Sequence, residues 1–131
     1  MMKFAYTIVY VADVAGSLAF FETAFGFSRR FLTPEGDYGE LDTGDTTLSF
    51  ASKALALSNH PQGFRFADDG ALPLGVEIAL ATDDVMAAHQ AALAAGASEL
   101  AAPQVKPWGQ TVSFLRCPDG MLLELCSPVT P

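Results

Sequence analysis

The stretch FAYTIVYVADVAGSLAFFETAFG at residues 4–26 decides the fold, because its pattern predicts a strand followed at once by a helix. Residues 4–11 alternate between two sets of side chains, and a period of two residues is typical of a strand. Asp13 is a residue type that caps helix N-termini, and Gly26 is one that ends helices. Between them, apolar side chains recur at helical spacing, namely Val14, Leu18, Phe21 and Phe25.

A second copy of this pattern, VEIALATDDVMAAHQAALAAG, occupies residues 76–96. It again alternates as a strand does, offers Asp83 or Asp84 as a helix cap, and ends at Gly96. Aligning the two stretches superposes four pairs of residues: Asp13 with Asp84, Val14 with Val85, Tyr6 with Glu77 and, approximately, Ser49 with Glu124. The chain therefore contains a duplicated structural unit.

Three short strands are predicted after each of these strand–helix pairs. They lie at 28–33, 38–43 and 46–52 in the first half and at 98–104, 110–116 and 121–127 in the second. The intervening stretch from Lys53 to Pro73 shows no clear period and is predicted to be a linker. The sequence thus indicates one α+β domain of two β-α-β-β-β modules, with module one at 1–52, the linker at 53–73 and module two at 74–131.

Composition excludes several classes of function. The chain has 131 residues, a net charge of −8 and a pI near 4.4, which opposes binding to nucleic acid or to an acidic membrane surface. No apolar run is long enough to span a membrane, so a cytoplasmic protein is expected. Cys117 and Cys126 are too few for a disulfide framework and are expected to be reduced thiols.

The opening and closing segments of the chain carry a family resemblance. The opening strand and helix, from Tyr10-Val-Ala-Asp13 to Phe25-Gly26, and the closing Pro107-Trp-Gly-Gln110 and Cys117-Pro-Asp-Gly120 segments resemble the vicinal oxygen chelate superfamily. That superfamily contains glyoxalase I, bleomycin-resistance proteins and extradiol dioxygenases. The resemblance implies two four-stranded sheets that form an open cup of mixed sheet, with helices packed behind them. It also implies a homodimer, since members of this size commonly dimerise.

Strand alternation predicts which side chains face into such a cup. If the Glu77 side faces inward, the lining consists of Tyr6, Ile8, Tyr10, Thr47, Ser49, Ala51, Glu77, Ala79, Ala81, Leu122, Glu124 and Cys126. The opposite faces are more uniformly apolar, as expected where helices cover a sheet: Val9, Leu48, Phe50, Val76, Ile78, Leu80, Met121, Leu123 and Leu125.

The resemblance implies a metal position on the first and last strand of each module, which here carry Tyr6, Ser49, Glu77 and Glu124. Two of these are neutral hydroxyls, and none is the histidine that nickel, zinc or iron favours. We therefore expect no catalytic transition metal. The alternative is one divalent ion that prefers oxygen ligands, such as calcium, magnesium or manganese, held by Glu77, Glu124 and water.

Glu77 and Glu124 are the candidate catalytic residues, because carboxylates in apolar strands are costly to bury without a partner. Paired, they could raise one partner's pKa and serve as acid and base or as a receptor for a cation. The competing interpretation is structural: each would accept hydrogen bonds from Tyr6, Ser49, Gln110 or water and merely fix the sheet.

The candidate ligand-binding residues are Tyr6, Tyr10, Ser49, Trp108 and Gln110. The tyrosines could supply an aromatic wall and hydroxyl donors, or only packing. Trp108 could be a flap over the mouth of the cup or an apolar plug at a strand end. His60 is expected to be exposed in the linker, His89 to be a hydrogen-bonded packing residue, and Asp119-Gly120 to be a hairpin turn and nothing more.

The leading hypothesis is a protein that binds a small organic molecule, cationic or aromatic, in the cup. The first alternative is a metal-dependent lyase or isomerase of the glyoxalase type that uses Glu77 and Glu124. The second is a non-catalytic interaction domain whose cup is closed by Tyr6, Tyr10 and Trp108.

Overall fold

The two predicted modules form two four-stranded mixed sheets in the computed structural model, which describes residues 1–129. The first module contains β1 (Tyr6–Val11), α1 (Val14–Phe25), β2 (Ser28–Leu32), β3 (Tyr38–Asp42) and β4 (Thr47–Ser52). A short helix, α2 (Lys53–Asn59), follows. The second module contains β5 (Glu77–Ala81), α3 (Val85–Ala94), β6 (Ser98–Val105), β7 (Thr111–Arg116) and β8 (Leu122–Cys126). Residues 130 and 131, the end of the predicted second module, lie outside the described residues.

Strand order confirms the duplication. The first sheet has the order β1-β4-β3-β2 and the second has the order β5-β8-β7-β6. In each sheet the first and last strands of the module, β1 with β4 and β5 with β8, pair in parallel, and the other pairs are antiparallel. Ser49 pairs with Ile8, and Glu124 pairs with Ala79. Because Ile8 and Ala79 are equivalent positions of the repeat, the approximate match of Ser49 with Glu124 is confirmed. The sheets do not close on each other, consistent with an open cup.

Helix α1 begins and ends where the sequence predicted. The Asp13 carboxylate accepts a hydrogen bond from the Gly16 amide at 3.0 Å, and Gly26 closes the helix at a φ of 73°. Glycine suits this left-handed conformation because it has no Cβ to clash with the following carbonyl. The buried face of α1, including Leu18 and Phe21, packs on the first sheet and forms the centre of the core. In α3 the cap is Asp84, which settles the choice between the two aspartates.

The predicted division of each sheet into an inner and a covered face is confirmed at most positions. In β1 and β4, Val9, Val11, Leu48 and Phe50 are buried beneath the helices. Val76 was assigned wrongly: it precedes β5 and is 55% exposed. The alternation that predicted its burial does not extend beyond the first paired residue of the strand, Glu77.

The prediction of an irregular linker over residues 53–73 was wrong at its start. Helix α2 begins directly after β4, and the Ser52 hydroxyl caps it by accepting a hydrogen bond from the Leu55 amide at 3.1 Å. Alanine, leucine and lysine have high helix propensity, and they fill most of α2. Seven residues are too few for an apolar period to show, which is why the pattern missed the helix.

The modules are joined by contacts that the sequence did not indicate. Helices α1 and α3 pack together, and the Ser17 hydroxyl donates a hydrogen bond of 2.9 Å to Asp119 Oδ2 in the β7–β8 turn. Asp119 is therefore more than a turn residue, and its burial raises the pKa of its carboxyl group. The turn prediction was incomplete because only tertiary packing brings α1 to this loop.

The histidine of α3 has the structural role predicted for it. His89 is fully buried, with Nδ1 at 2.9 Å from the Ser113 hydroxyl and Nε2 at 3.1 Å from Glu99 Oε1. Both ring nitrogens thus make hydrogen bonds inside the fold. Cys117 and Cys126 are free thiols. Within residues 1–129, no helix has the length and apolar character needed to cross a membrane.

Candidate functional site

We call the face of each sheet opposite the long helices α1 and α3 its open face. On the second sheet, the open face carries Glu77 and Glu124 on adjacent parallel strands, two residues apart along the ladder. Such diagonal neighbours on one face are within reach of long side chains. The strand period and the repeat therefore bring together the two carboxylates that the sequence singled out.

Glu77 and Glu124 influence each other's charge. Partial burial and the negative charge of Glu124 raise the pKa of Glu77. Neighbouring carboxylates resist simultaneous ionisation, so Glu77 retains its proton to a higher pH than an isolated glutamate. Glu77 can therefore hold or release a proton.

The surroundings of the carboxylate pair are apolar and partly open. Phe114 pairs with Glu124 across the antiparallel ladder, and Ala79 flanks it on the other side. Small, exposed alanines on β5 leave space in front of the pair. Cys126 lies two residues further along β8, where burial and the charges of Glu124 and Glu77 raise the pKa of its thiol. This thiol stays protonated and is a poor nucleophile.

Trp108 and Gln110 form a hydrogen-bonded arm at the carboxyl end of β8. The Trp108 indole N–H donates to Gln110 Oε1 at 2.8 Å, and Gln110 Nε2 donates to the Ser127 carbonyl at 2.8 Å. Trp108 remains 68% exposed, so it is not an apolar plug. The contacts fix an aromatic ring at the surface, where it is available to a ligand.

The open face of the first sheet carries the tyrosines. Tyr6 is 51% exposed, whereas Thr47 and Ala51 on the same face are buried. Ser49 is fully buried, and its Oγ is the one buried side-chain oxygen or nitrogen in residues 1–129 without a hydrogen-bond partner. A ligand could reach the Ser49 hydroxyl only if neighbouring side chains moved.

The sequence analysis missed a polar network beside Ser49. Arg30 donates hydrogen bonds to Glu40 Oε1 at 3.1 Å and to the Thr47 hydroxyl at 3.0 Å, while the Tyr38 hydroxyl donates to Glu40 Oε2 at 2.7 Å. Glu40 is buried and pairs with Ser49, so it shares the open face. A signal was present, because Tyr38 and Glu40 alternate with Gly39 and Leu41.

Tyr10 is part of an aromatic cluster with the linker rather than a free wall. Its hydroxyl lies 3.1 Å from His60 Nε2, and its ring centroid lies 5.0 Å from that of Phe64. His60 was expected to be exposed, but it is half-buried because it packs between Tyr10 and Phe64. Chain folding after α2 brings these rings together.

The donor atoms at the four positions implied for a metal do not suit a transition-metal ion. Tyr6 and Ser49 offer neutral hydroxyls on the first sheet, whereas Glu77 and Glu124 offer carboxylates on the second. Within the described part of the chain, no three histidine, cysteine, aspartate or glutamate side chains cluster as metal ligands would. We derive no chemical step through a metal.

Comparison with known proteins agrees with this architecture. Solved structures with the same fold include a glyoxalase/bleomycin resistance protein/dioxygenase family enzyme from Burkholderia phytofirmans PsJN, with a TM-score of 0.77 and 21% identity over 98% of this chain and 100% of that chain. A glyoxalase-related enzyme from Fulvimarina pelagi has a TM-score of 0.79 and 16% identity over 98% of this chain and 89% of that chain. TioX from Micromonospora sp. ML1 has a TM-score of 0.70 and 20% identity over 98% of this chain and 100% of that chain.

These identities are low, so the likenesses establish the fold alone. Among curated proteins, none matches the chain significantly. The model of one family, the Glyoxalase/Bleomycin resistance protein/Dioxygenase superfamily, matches residues 3–125. That match spans both modules with their paired strand–helix units, and the chain therefore belongs to this superfamily.

Proposed function

We propose that the protein is a cytoplasmic small-molecule binding protein that holds an organic ligand on the open face of its sheets without a catalytic transition metal. The observation that carries the proposal is the Glu77–Glu124 pair. These carboxylates lie on the open face of the second sheet, where Glu77 is exposed and Glu124 is half-buried, and the negative charge of Glu124 contributes to the raised pKa of Glu77. Neighbouring carboxylates repel each other when both are ionised, and a bound cation would relieve that repulsion.

The charge of the site favours a cationic or polar aromatic ligand. Ionised carboxylates attract an ammonium group, and Phe114 and Trp108 are aromatic side chains on the same sheet or at its end. The net charge of −8 favours the approach of a cation. If the ligand is also transformed, Glu77 is the candidate acid, since its pKa is raised and the Cys126 thiol is deactivated.

The assembly we propose is a homodimer. Strands β1 and β5 lie at the edges of their sheets, each pairing with only one neighbour. Tyr6 and Ile8 on β1 are exposed apolar side chains. Free strand edges and exposed apolar surface are features that association of two copies would cover.

Phenethylammonium is expected to bind at the carboxylate pair, and Glu77→Gln or Glu124→Gln is expected to weaken binding about tenfold or more. The reason is the loss of a charge-assisted contact of about 1.5–3 kcal/mol. Calorimetric titration measures the affinity. Trp108 is the only tryptophan, so its fluorescence reports whether the ligand reaches that end of the site.

Glu35→Gln is the matched control, because it removes the same charge from an exposed turn. Affinity for phenethylammonium should also rise with pH, as Glu77 loses its proton above the ordinary glutamate value of about 4.3. Equal affinity for wild type and Glu77→Gln, or an equal loss in Glu35→Gln, would show that the pair is not the recognition element.

Purified protein is expected to contain no stoichiometric nickel, zinc or iron. Its four implied ligand positions provide hydroxyl and carboxylate oxygens but no imidazole, and the Ser49 hydroxyl is fully buried. Elemental analysis of protein prepared without added metal checks this. One tightly held equivalent that is lost in Glu124→Ala would instead support the glyoxalase-type alternative.

A further inference from the structure

A second candidate binding site lies where the two modules meet. It is a groove of about 220 Å³ between the edge strand β1, linker residues 64–67 and the start of the second module. Its apolar walls include Ile8, Tyr10, Phe64, Phe66, Leu74 and Val76. Neither Glu77 nor Glu124 contributes to it. The groove is therefore chemically distinct from the carboxylate pair.

The walls of the groove are held in place by specific contacts. The Phe64 and Phe66 rings pack with centroids 4.6 Å apart, and the Lys53 ammonium lies 4.7 Å from the Phe66 centroid. The Phe66 amide donates to Asp69 Oδ2 at 2.9 Å, and Arg116 donates to the Ala67 carbonyl at 2.8 Å. A groove with fixed walls loses little conformational entropy when a ligand enters.

One charged side chain, Arg65, also lines the groove. The other three arginines are engaged: Arg29 with Glu22, Arg30 with Glu40, and Arg116 with backbone carbonyls. Within residues 1–129, Arg65 has no hydrogen-bond or ion-pair partner. An unpaired guanidinium beside an apolar groove is complementary to a ligand that has an apolar body and an anionic end.

Val76 points to the same conclusion. It is a 55% exposed apolar side chain just before β5, and it contributes apolar surface to the groove. An apolar ligand seated here would cover Val76 together with the ring faces of Phe64 and Phe66. Binding would remove this apolar surface from water, which is energetically favourable.

We propose that this groove binds a small aromatic carboxylate, with its ring against Phe64, Phe66 and Val76 and its carboxylate on Arg65. The volume suits one ring with a short chain. It lies below the range of roughly 300–1,000 Å³ for drug-sized ligands but above the roughly 150 Å³ of an apolar cavity that holds benzene. The inference is independent of the proposed function, because the two sites prefer opposite charges.

Hydrocinnamate is the probe, titrated calorimetrically against the full chain. It should bind, its uncharged amide should bind about tenfold more weakly, and Arg65→Gln should weaken hydrocinnamate binding by a similar factor. Lys3→Gln, which removes an equally exposed charge elsewhere, should leave the affinity within about twofold, because distant surface charges are screened by salt. Unchanged affinity in Arg65→Gln would overturn the proposal.

A second variant tests the apolar part of the groove. Val76→Phe fills the groove from an exposed position and is expected to abolish hydrocinnamate binding while thermal unfolding stays as in wild type. Undiminished binding by a folded Val76→Phe protein, or no binding by wild type, would also overturn the proposal. Phenethylammonium binding should be unaffected in both variants, which separates this site from the carboxylate pair.

Discussion

Gly120→Ala is expected to lower the free energy of unfolding by about 3 kcal/mol or more, among the largest effects of any single substitution in the protein. Gly120 has a φ of 97°, a left-handed conformation that costs other residues roughly 1–2 kcal/mol. An added Cβ would also lie 2.6 Å from the Ala67 carbonyl carbon and 2.8 Å from the Asp68 nitrogen. The linker backbone would have to move away from the β7–β8 turn.

Two other glycines separate these causes. Gly63 has a φ of 83° but nothing within 4 Å of the added Cβ, so Gly63→Ala should cost only the roughly 1–2 kcal/mol of backbone strain. Gly70 has open space and no left-handed backbone, so Gly70→Ala should change stability by less than about 1 kcal/mol. Urea denaturation measures all three. If Gly120→Ala costs no more than Gly63→Ala, the predicted clash with the linker is absent.

Arg116→Met is expected to cost on the order of 2–4 kcal/mol and to loosen the linker. The Arg116 guanidinium donates hydrogen bonds to four backbone carbonyls, those of Ala67, Gly70, Ala71 and Gly120, at 2.8–3.0 Å. Methionine keeps most of the aliphatic length but leaves these carbonyls without their donor. The cost is below the sum of four charged hydrogen bonds, because two of the contacts are exposed to water.

Hydrogen exchange locates the effect of this substitution. Amides of residues 67–71 should exchange faster in Arg116→Met, while those of β1 and β4 should be little changed. Arg65→Met is the control, since that exposed side chain has no partner in the described residues and should change stability by less than about 0.5 kcal/mol. Equal effects of the two substitutions would mean that Arg116 does not hold the linker.

Local patterns were sufficient for the strand–helix units and for placing Glu77 and Glu124 on the same face of their sheet. A strand has a period of two residues, so alternation assigns Glu77 and Glu124 to the same side of β5 and β8. The repeat adds the register, because it makes Ile8 and Ala79 equivalent and thereby relates Ser49 to Glu124. Whether Tyr6, Tyr10, Trp108 and Gln110 bind a ligand stays a prediction.

The Arg30–Glu40–Tyr38 network is an example of contacts that strand alternation alone does not predict. Its assembly requires β3 to pair with β4 and a shift of register between Arg29 and Phe31 in β2. That irregularity places Arg30 where it reaches Glu40 and Thr47. A bulge changes which side chain shares a face with the next strand, and alternation within β2 alone does not reveal it.

By itself the sequence determined the two modules, their helix caps and their open faces, because these depend on spacing within about a dozen residues and on an internal repeat. Only the tertiary structure decided the contacts between the modules and the linker. These are the hydrogen bond of Ser17 to Asp119, the hydrogen bonds of Arg116 to linker carbonyls, and the groove beside Arg65. These contacts join residues separated by some 45 to 102 positions along the chain. Their geometry depends on how distant segments of the chain pack together, and no local period records that packing.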